Sequence, residues 1–168
     1  IQLPVQMAVD SHGNLYILDR AQFGTYLMKL DATDGLLSVI YPRAPYGAGL
    51  DPNLSSFAIA PDDTVVAARY VLQDPADVID LVRILSDGTV QTLYPSDHYL
   101  DRVNSMTFDE SGNLYLAEPF RIRSLSADMT LNTLAGFASG VATSVPASYT
   151  PDRIDSTAGL LAANGTLY

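Results

Sequence analysis

The residues best suited to recognition chemistry fall in three stretches, 43–55, 95–105 and 136–156. The first carries Arg43, Tyr46 and Asp51. The second carries Asp97, His98, Tyr99, Asp101 and Arg102, and the third Tyr149, Asp152 and Arg153. Tyrosine offers a large apolar body with a polar tip at low entropy cost, and arginine offers a fixed fork of donors. Both are enriched where proteins recognise partners. The candidate binding set is therefore Arg43, Tyr46, Asp97, His98, Tyr99, Arg102, Tyr149 and Arg153. Within it, Tyr99-Leu-Asp-Arg-Val103 and Tyr149-Thr-Pro-Asp-Arg-Ile154 both place Asp-Arg before a β-branched residue. Such a pair can line a channel that takes an anionic or carbohydrate ligand, or it can fasten the start of a strand through an ion pair. Recurrence favours the second use. Asp97-His98 is the one adjacent acid–base pair.

Other chemistries lack their residues. There is no cysteine, which excludes disulfides, thiol nucleophiles and Cys-ligated metals. Two histidines are too few for a multi-His metal site. No Gly-x-Ser-x-Gly motif is present. Asp31-Ala-Thr-Asp-Gly35 lacks the alternating ligands and terminal Glu of a calcium loop. No catalytic residue and no cofactor is assigned. With 9 Lys/Arg against 19 Asp/Glu, the net charge of −10 argues against nucleic acid as a partner. No apolar run is long enough to insert in a membrane. A hydrophobic share of 48% with 17% charged residues describes a chain that builds a core.

The elements that must carry these residues come from an internal repeat. Met7-Ala-Val-Asp-Ser-His-Gly13-Asn-Leu-Tyr16, Phe57-Ala-Ile-Ala-Pro-Asp-Asp63-Thr-Val-Val66, Met106-Thr-Phe-Asp-Glu-Ser-Gly112-Asn-Leu-Tyr115 and Gly159-Leu-Leu-Ala-Ala-Asn-Gly165-Thr-Leu-Tyr168 align on positions 13, 63, 112 and 165, spaced by 50, 49 and 53. Each copy reads as a strand, a tight turn and a second strand. Thr25 to Leu30 and Leu36 to Tyr41 then flank Asp31 to Gly35, Val78 to Leu85 and Thr89 to Tyr94 flank Ser86-Asp-Gly88, and Arg121 to Leu125 and Thr130 to Leu134 flank Ser126 to Asp128. Asp-Gly between apolar runs marks a hairpin. Asp74 to Val82 is the nearest approach to a helical pattern, and it reads as a turn over 73–77 followed by a strand.

Four antiparallel strands recurring about every 50 residues describe propeller blades. The expected fold is all-β, a β-propeller with blade units at about 1–42, 43–95, 96–136 and 137–168, the last incomplete. Leu15, Ile17, Val65, Ala67, Leu114 and Leu116 should be deeply buried between blades. A six-bladed ring needs about 300 residues at this period, so the chain corresponds to about half of one. The rest of the blades, from the same or another chain, are then expected neighbours.

Met7 to Asp19 and Met106 to Glu118, followed by Arg121-Ile-Arg123 and Thr133-Leu-Ala-Gly136, resemble the NHL repeat. The second unit departs, with Asp62-Asp-Thr-Val-Val in place of Gly-Asn-Leu-Tyr. The resemblance implies the propeller fold and several functions: protein-binding scaffolds, RNA-binding domains, amidating lyases and relatives of calcium-dependent lactonases. A lactonase-like relative would hold calcium through Glu, Asn and Asp around the channel, for which Asn104 and Asp155 are candidates.

In a four-stranded blade the inter-blade connections share one rim with the middle-hairpin turns. That rim gathers the three stretches above with Arg20, Phe23, Asp74 and Asp77. The expected function is a non-catalytic binding scaffold that takes a protein or glycan partner on this rim. The alternatives are a metal-dependent propeller hydrolase or lyase and a subunit of a multimer or filament. The acidic, cysteine-free composition suits an extracellular or periplasmic setting. Asn53-Leu-Ser55 and Asn164-Gly-Thr166 fit the N-glycosylation sequon.

Overall fold

The computed structural model describes residues 1–22, 24–42, 53–71, 78–94, 100–136 and 159–168. Among them there is no helix. Three four-stranded antiparallel sheets follow one another along the chain, each in simple meander order. The first holds β1 (Pro4–Val9), β2 (Leu15–Ala21), β3 (Gly24–Leu30) and β4 (Leu37–Tyr41). The second holds β5 (Leu54–Ile59), β6 (Val65–Val71), β7 (Val78–Ile84) and β8 (Val90–Tyr94). The third holds β9 (Ser105–Phe108), β10 (Leu114–Glu118), β11 (Arg121–Leu125) and β12 (Leu131–Gly136). A two-stranded hairpin, β13 (Ala162–Ala163) and β14 (Thr166–Leu167), begins a fourth unit. The β-rich segment after residue 77 is strand β7, as its alternation predicts. Residues 72–77 lie outside the described residues.

The first turn of each blade is built by the repeat itself. Asp10 Oδ1 accepts hydrogen bonds from the amides of His12 and Asn14, at 3.0 and 2.9 Å, and Oδ2 accepts one from Asn14 Nδ2 at 2.8 Å. Asp109 repeats this with Ser111 N, Asn113 N and Asn113 Nδ2, and accepts the Tyr115 hydroxyl at 3.0 Å as Asp10 accepts that of Tyr16. The turn then needs a left-handed residue, which Gly13 and Gly112 supply at φ 83° and 84°. In the divergent second copy Asp63 takes that conformation instead, at φ 62°, a position where Asp is better tolerated than most residues.

Blades pack face to face. Tyr16, Leu18 and Leu27 of the first blade form one cluster with Phe57, Val65, Ala67, Val82 and Ile84 of the second. Ala58, Val66, Ala68, Ile79 and Leu81 on the other face of the second blade meet Val103, Met106, Leu114, Leu116 and Leu125 of the third. Because side chains alternate along a strand, odd and even positions of one blade serve two different neighbours. Ile17, Val65, Ala67, Leu114 and Leu116 are buried as expected, but Leu15 is only half-buried. Its strand partner is Val9, on a face of the first blade that no described blade covers. On that face Val5, Met7 and Val9 are also exposed.

Positions 19, 69 and 118 place a charged residue at the same point of each second strand. Asp19 is buried and accepts the amides of Gln2 and Leu3. Arg69 makes a two-point ion pair with Asp80 across β6 and β7. Glu118 is fully buried and pairs with Arg121 and Arg123. Burial pushes the Glu118 carboxyl above its ordinary value, against the opposite pull of those two arginines.

Candidate functional site

The first strands lie side by side at the inner end of each sheet, β1 beside β5 and β5 beside β9. They do not pair through their backbones. Side chains join them: Gln6 Oε1 accepts from Ser56 Oγ and Phe57 N, and Gln6 Nε2 donates to the Phe57 carbonyl. Two repeats further on, Ser105 Oγ accepts the amide of Leu160.

Just ahead of these contacts the ladders slip. The β1–β2 register shifts between Pro4 and Gln6, and the β5–β6 register shifts between Leu54 and Ser56. The unpaired residues are Val5 and Ser55. The equivalent residue of the third copy is Asn104, immediately before β9. A bulge re-aims the side chain it frees. Here Val5, Ser55 and Asn104 line one cavity of about 210 Å³, together with Gln6, Ser105, Arg20 and Arg102. A second cavity of about 270 Å³ shares Arg20, Ser55 and Arg102, and adds Thr25, Asn53 and Tyr70.

Both arginines are exposed yet held in place through their backbones. Arg20 N donates to the Leu3 carbonyl at 2.8 Å, while Asp19 beside it grips the amides of residues 2 and 3. Arg102 sits between Asp101, whose carboxylate pairs with Arg121 at 3.1 Å, and Val103, which is fully buried. Asn104 N then donates to the Ala117 carbonyl. The Asp-Arg pair is thus divided in its use: the aspartate fastens the connection to its own blade, and the arginine is turned to the cavity. Neither Arg20 nor Arg102 has an ion pair or side-chain hydrogen bond among the described residues. Lys29, Arg69, Arg121 and Arg123 are all paired with acids. The two cavities contain no carboxylate among their described lining residues. Ser55 Oγ, which borders both, is buried without a hydrogen-bond partner.

Of the expected binding set, Arg102 is placed here. Arg43, Tyr46, Asp97, His98, Tyr99, Tyr149 and Arg153 lie outside the described residues, as does Asp155. Arg20 joins the site from the end of β2. Gln6, Ser55 and Ser105 were not anticipated. Their signal was a polar residue recurring at matching places in otherwise apolar first strands: Gln6, Ser56 and Ser105 at one position, Ser55 and Asn104 at the one before.

The opposite rim also holds cavities, although its turns are short. One of about 380 Å³ opens between the second and third blades, bordered by Asp62, Arg83, Glu110 and the side chains of Leu93, Phe108 and Met129. It is a gap between blade edges, where hydrogen bonds from Thr64 and, to a smaller degree, the nearby Arg83 charge hold the Asp62 carboxyl below its ordinary value. On the same rim Asp10, His12 and Asp63 bring three ligand atoms within 4.8 Å of one another. Their bonds explain the grouping. Asp10 is engaged in its own turn, and Asp63 accepts Ser11 N at 2.8 Å and Ser11 Oγ at 2.5 Å, and lies 2.9 Å from His12 Nδ1. The cluster clasps the turns of two adjacent blades.

No protein-family model matches the chain, and no curated protein does. Among solved structures, the extracellular domain of a protein described as a one-component system from B. thetaiotaomicron superposes over 96% of this chain at a TM-score of 0.59 and 13% identity. A protein described as a gluconolactonase covers 94% of it at a TM-score of 0.50 and 15% identity. The chain spans 19% of the first neighbour's length and 50% of the second's. At these identities the likeness is one of fold: the chain is built as a β-propeller.

Proposed function

We propose that the chain is a binding segment of a β-propeller, acting outside the cytoplasm, that takes a protein or glycan partner on the rim where Arg20 and Arg102 meet the ends of the innermost strands. The observation that carries this reading is the pair of arginines without an acidic partner among the described residues, in a cavity to which three successive blades each contribute a residue. Donor groups dominate that cavity, and no acid stands among its described lining. A lactonase-like calcium site needs carboxylates there, so the binding reading is preferred to the metal-dependent one. The extracellular setting rests on the first structural neighbour and on composition. The exposed Val5, Met7 and Val9 face supports a further four-stranded blade as an additional neighbour, because the same face of the next two blades is buried against one.

The test is a thermal-shift screen of the chain against a panel of saccharides and peptides, with Arg102→Ala in parallel. A binder whose shift is lost in the variant, while the melting temperature of the free protein is unchanged, supports the assignment. Calcium-dependent lactone hydrolysis by the chain would overturn it in favour of the enzyme.

A further inference from the structure

Resting on that rim as the working surface, we infer that Arg20 and Arg102 form an oxyanion subsite, selecting ligands that carry a carboxylate, sulfate or phosphate group. Four independent features lead to it. The first is electrostatic. On a chain of net charge −10, these two guanidinium groups border the same two cavities and lack an acidic partner among the described residues. Two like charges facing one space are relieved by an anion between them. The second concerns the repeat. Arg102 is equivalent to Leu3 and Asn53, and Arg20 to Tyr70 and Pro119. A charge needed to hold each blade together would recur in every copy, as the charged residues at 19, 69 and 118 do, whereas the first and second copies have no arginine where the third has Arg102, and the second and third have none where the first has Arg20. The third is pre-organisation. The backbone at each arginine is fixed by its neighbours, so each side chain starts from a defined point on the cavity wall and only its own rotamers remain to be ordered when a ligand arrives. The fourth is the supporting shell. Ser55 brings a buried hydroxyl with no hydrogen bond, and Gln6, Asn104 and Ser105 add amide and hydroxyl groups able to meet the polar remainder of such a ligand.

Guanidinium groups bind oxyanions through paired, charge-assisted hydrogen bonds. Two of them on one ligand group discriminate charge more than shape, so the three oxyanions share the inference and differ in the test. The experiment is a titration of the ¹⁵N-labelled chain at low salt, following the arginine Nε–Hε signals. The probes are D-glucuronate, inorganic sulfate and inorganic phosphate, with D-glucose as the uncharged control. The expected result is a saturable shift of the Arg20 and Arg102 signals with at least one oxyanion. The Arg69 and Arg121 signals should stay in place, and glucose should have no effect. Arg20→Gln and Arg102→Gln should each weaken binding by about tenfold or more, and Arg102→Lys should weaken it less than Arg102→Gln. Which probe binds tightest then names the source of the oxyanion. Equal, non-saturating shifts of every arginine would overturn the inference, as would undiminished affinity in the double Gln variant. If glucose binds at the rim as well as glucuronate, the oxyanion subsite is wrong but the binding surface stands. If every probe leaves both arginine signals unmoved, the subsite is likewise refuted, and the saccharide and peptide screen decides the binding surface separately.

Discussion

Met7 and Met106 are the same residue at the same place in two copies of the repeat, which makes them a controlled comparison of what a neighbouring blade contributes. Met106 is 3% exposed and Met7 is 63% exposed. Met106 packs among Val103, Leu114 and Leu116, all buried, and its backbone is fixed against Leu116 in the β9–β10 ladder. A site walled in this way collapses little when atoms are removed. Truncation to alanine at a core methionine costs about 2–5 kcal/mol, and the rigid surroundings place Met106→Ala near the middle of that range, about 3 kcal/mol. Full burial of such a side chain stabilises by about 1.5–3 kcal/mol. Met7 keeps little more than a third of that burial, so Met7→Ala should cost about 1 kcal/mol or less. Urea denaturation of the chain measures both. At a slope of about 2 kcal/mol per molar, the difference in cost corresponds to about 1 M in midpoint, with the slope unchanged. Equal losses at the two sites would refute the reasoning, because they would mean that Met7 is covered in solution as fully as Met106.

Two further predictions rest on single residues. Gly112 and Gly136 both have left-handed backbones, φ 84° and 88°, but a Cβ on Gly112 would meet open space, whereas one on Gly136 would come within 2.7 Å of Arg121 Cα and closer still to the Phe120 carbonyl. Gly112→Ala should therefore cost about 1–2 kcal/mol for the backbone alone, and Gly136→Ala clearly more; similar losses in urea denaturation would show that β11 and β12 part easily. For Asp109, burial alone would raise the carboxyl, but hydrogen bonds from Asn113, Tyr115 and Ser111 outweigh it and hold the group below its ordinary range. A depressed acid contributes stability that is present above its unfolded value and is lost as pH falls through the folded one. The stability gap between the wild-type chain and Asp109→Asn should thus narrow between about pH 5 and pH 2, and a constant gap in denaturation across that range would contradict the assignment.

The blade strands were legible because three local signals coincide in each copy: alternation of apolar residues, a carboxylate that builds the turn, and a glycine or aspartate that turns it. Such signals act within a few residues and need no knowledge of the neighbours. What they leave out is which blade face has a partner. Leu15 and Leu114 occupy the same place in the repeat, yet one is half-buried and the other is 2% exposed. The site was legible in part for a similar reason. The composition of the inter-blade connection singled out Arg102, and topology placed Arg20 on the same rim. The division of Asp101 from Arg102 depends on Arg121, twenty residues further on, and the inward turn of Ser55 depends on a slip in strand pairing. Neither is written in local spacing.

The Gln6 carboxamide presents an acceptor to the Phe57 amide and a donor to the Phe57 carbonyl, the two bonds that an adjoining strand would make. It therefore stands in for one residue of β-ladder along the inner edge of β5. Edge strands offer their free amides to solvent and to other chains, and a side chain from the adjoining blade removes that offer at the point where the two blades meet. The Phe57 amide then exchanges its hydrogen only when the first and second blades separate or the second opens. The slow exchange of one backbone hydrogen, in a strand whose geometry alone marks it as an edge, becomes a measure of how tightly neighbouring blades hold together.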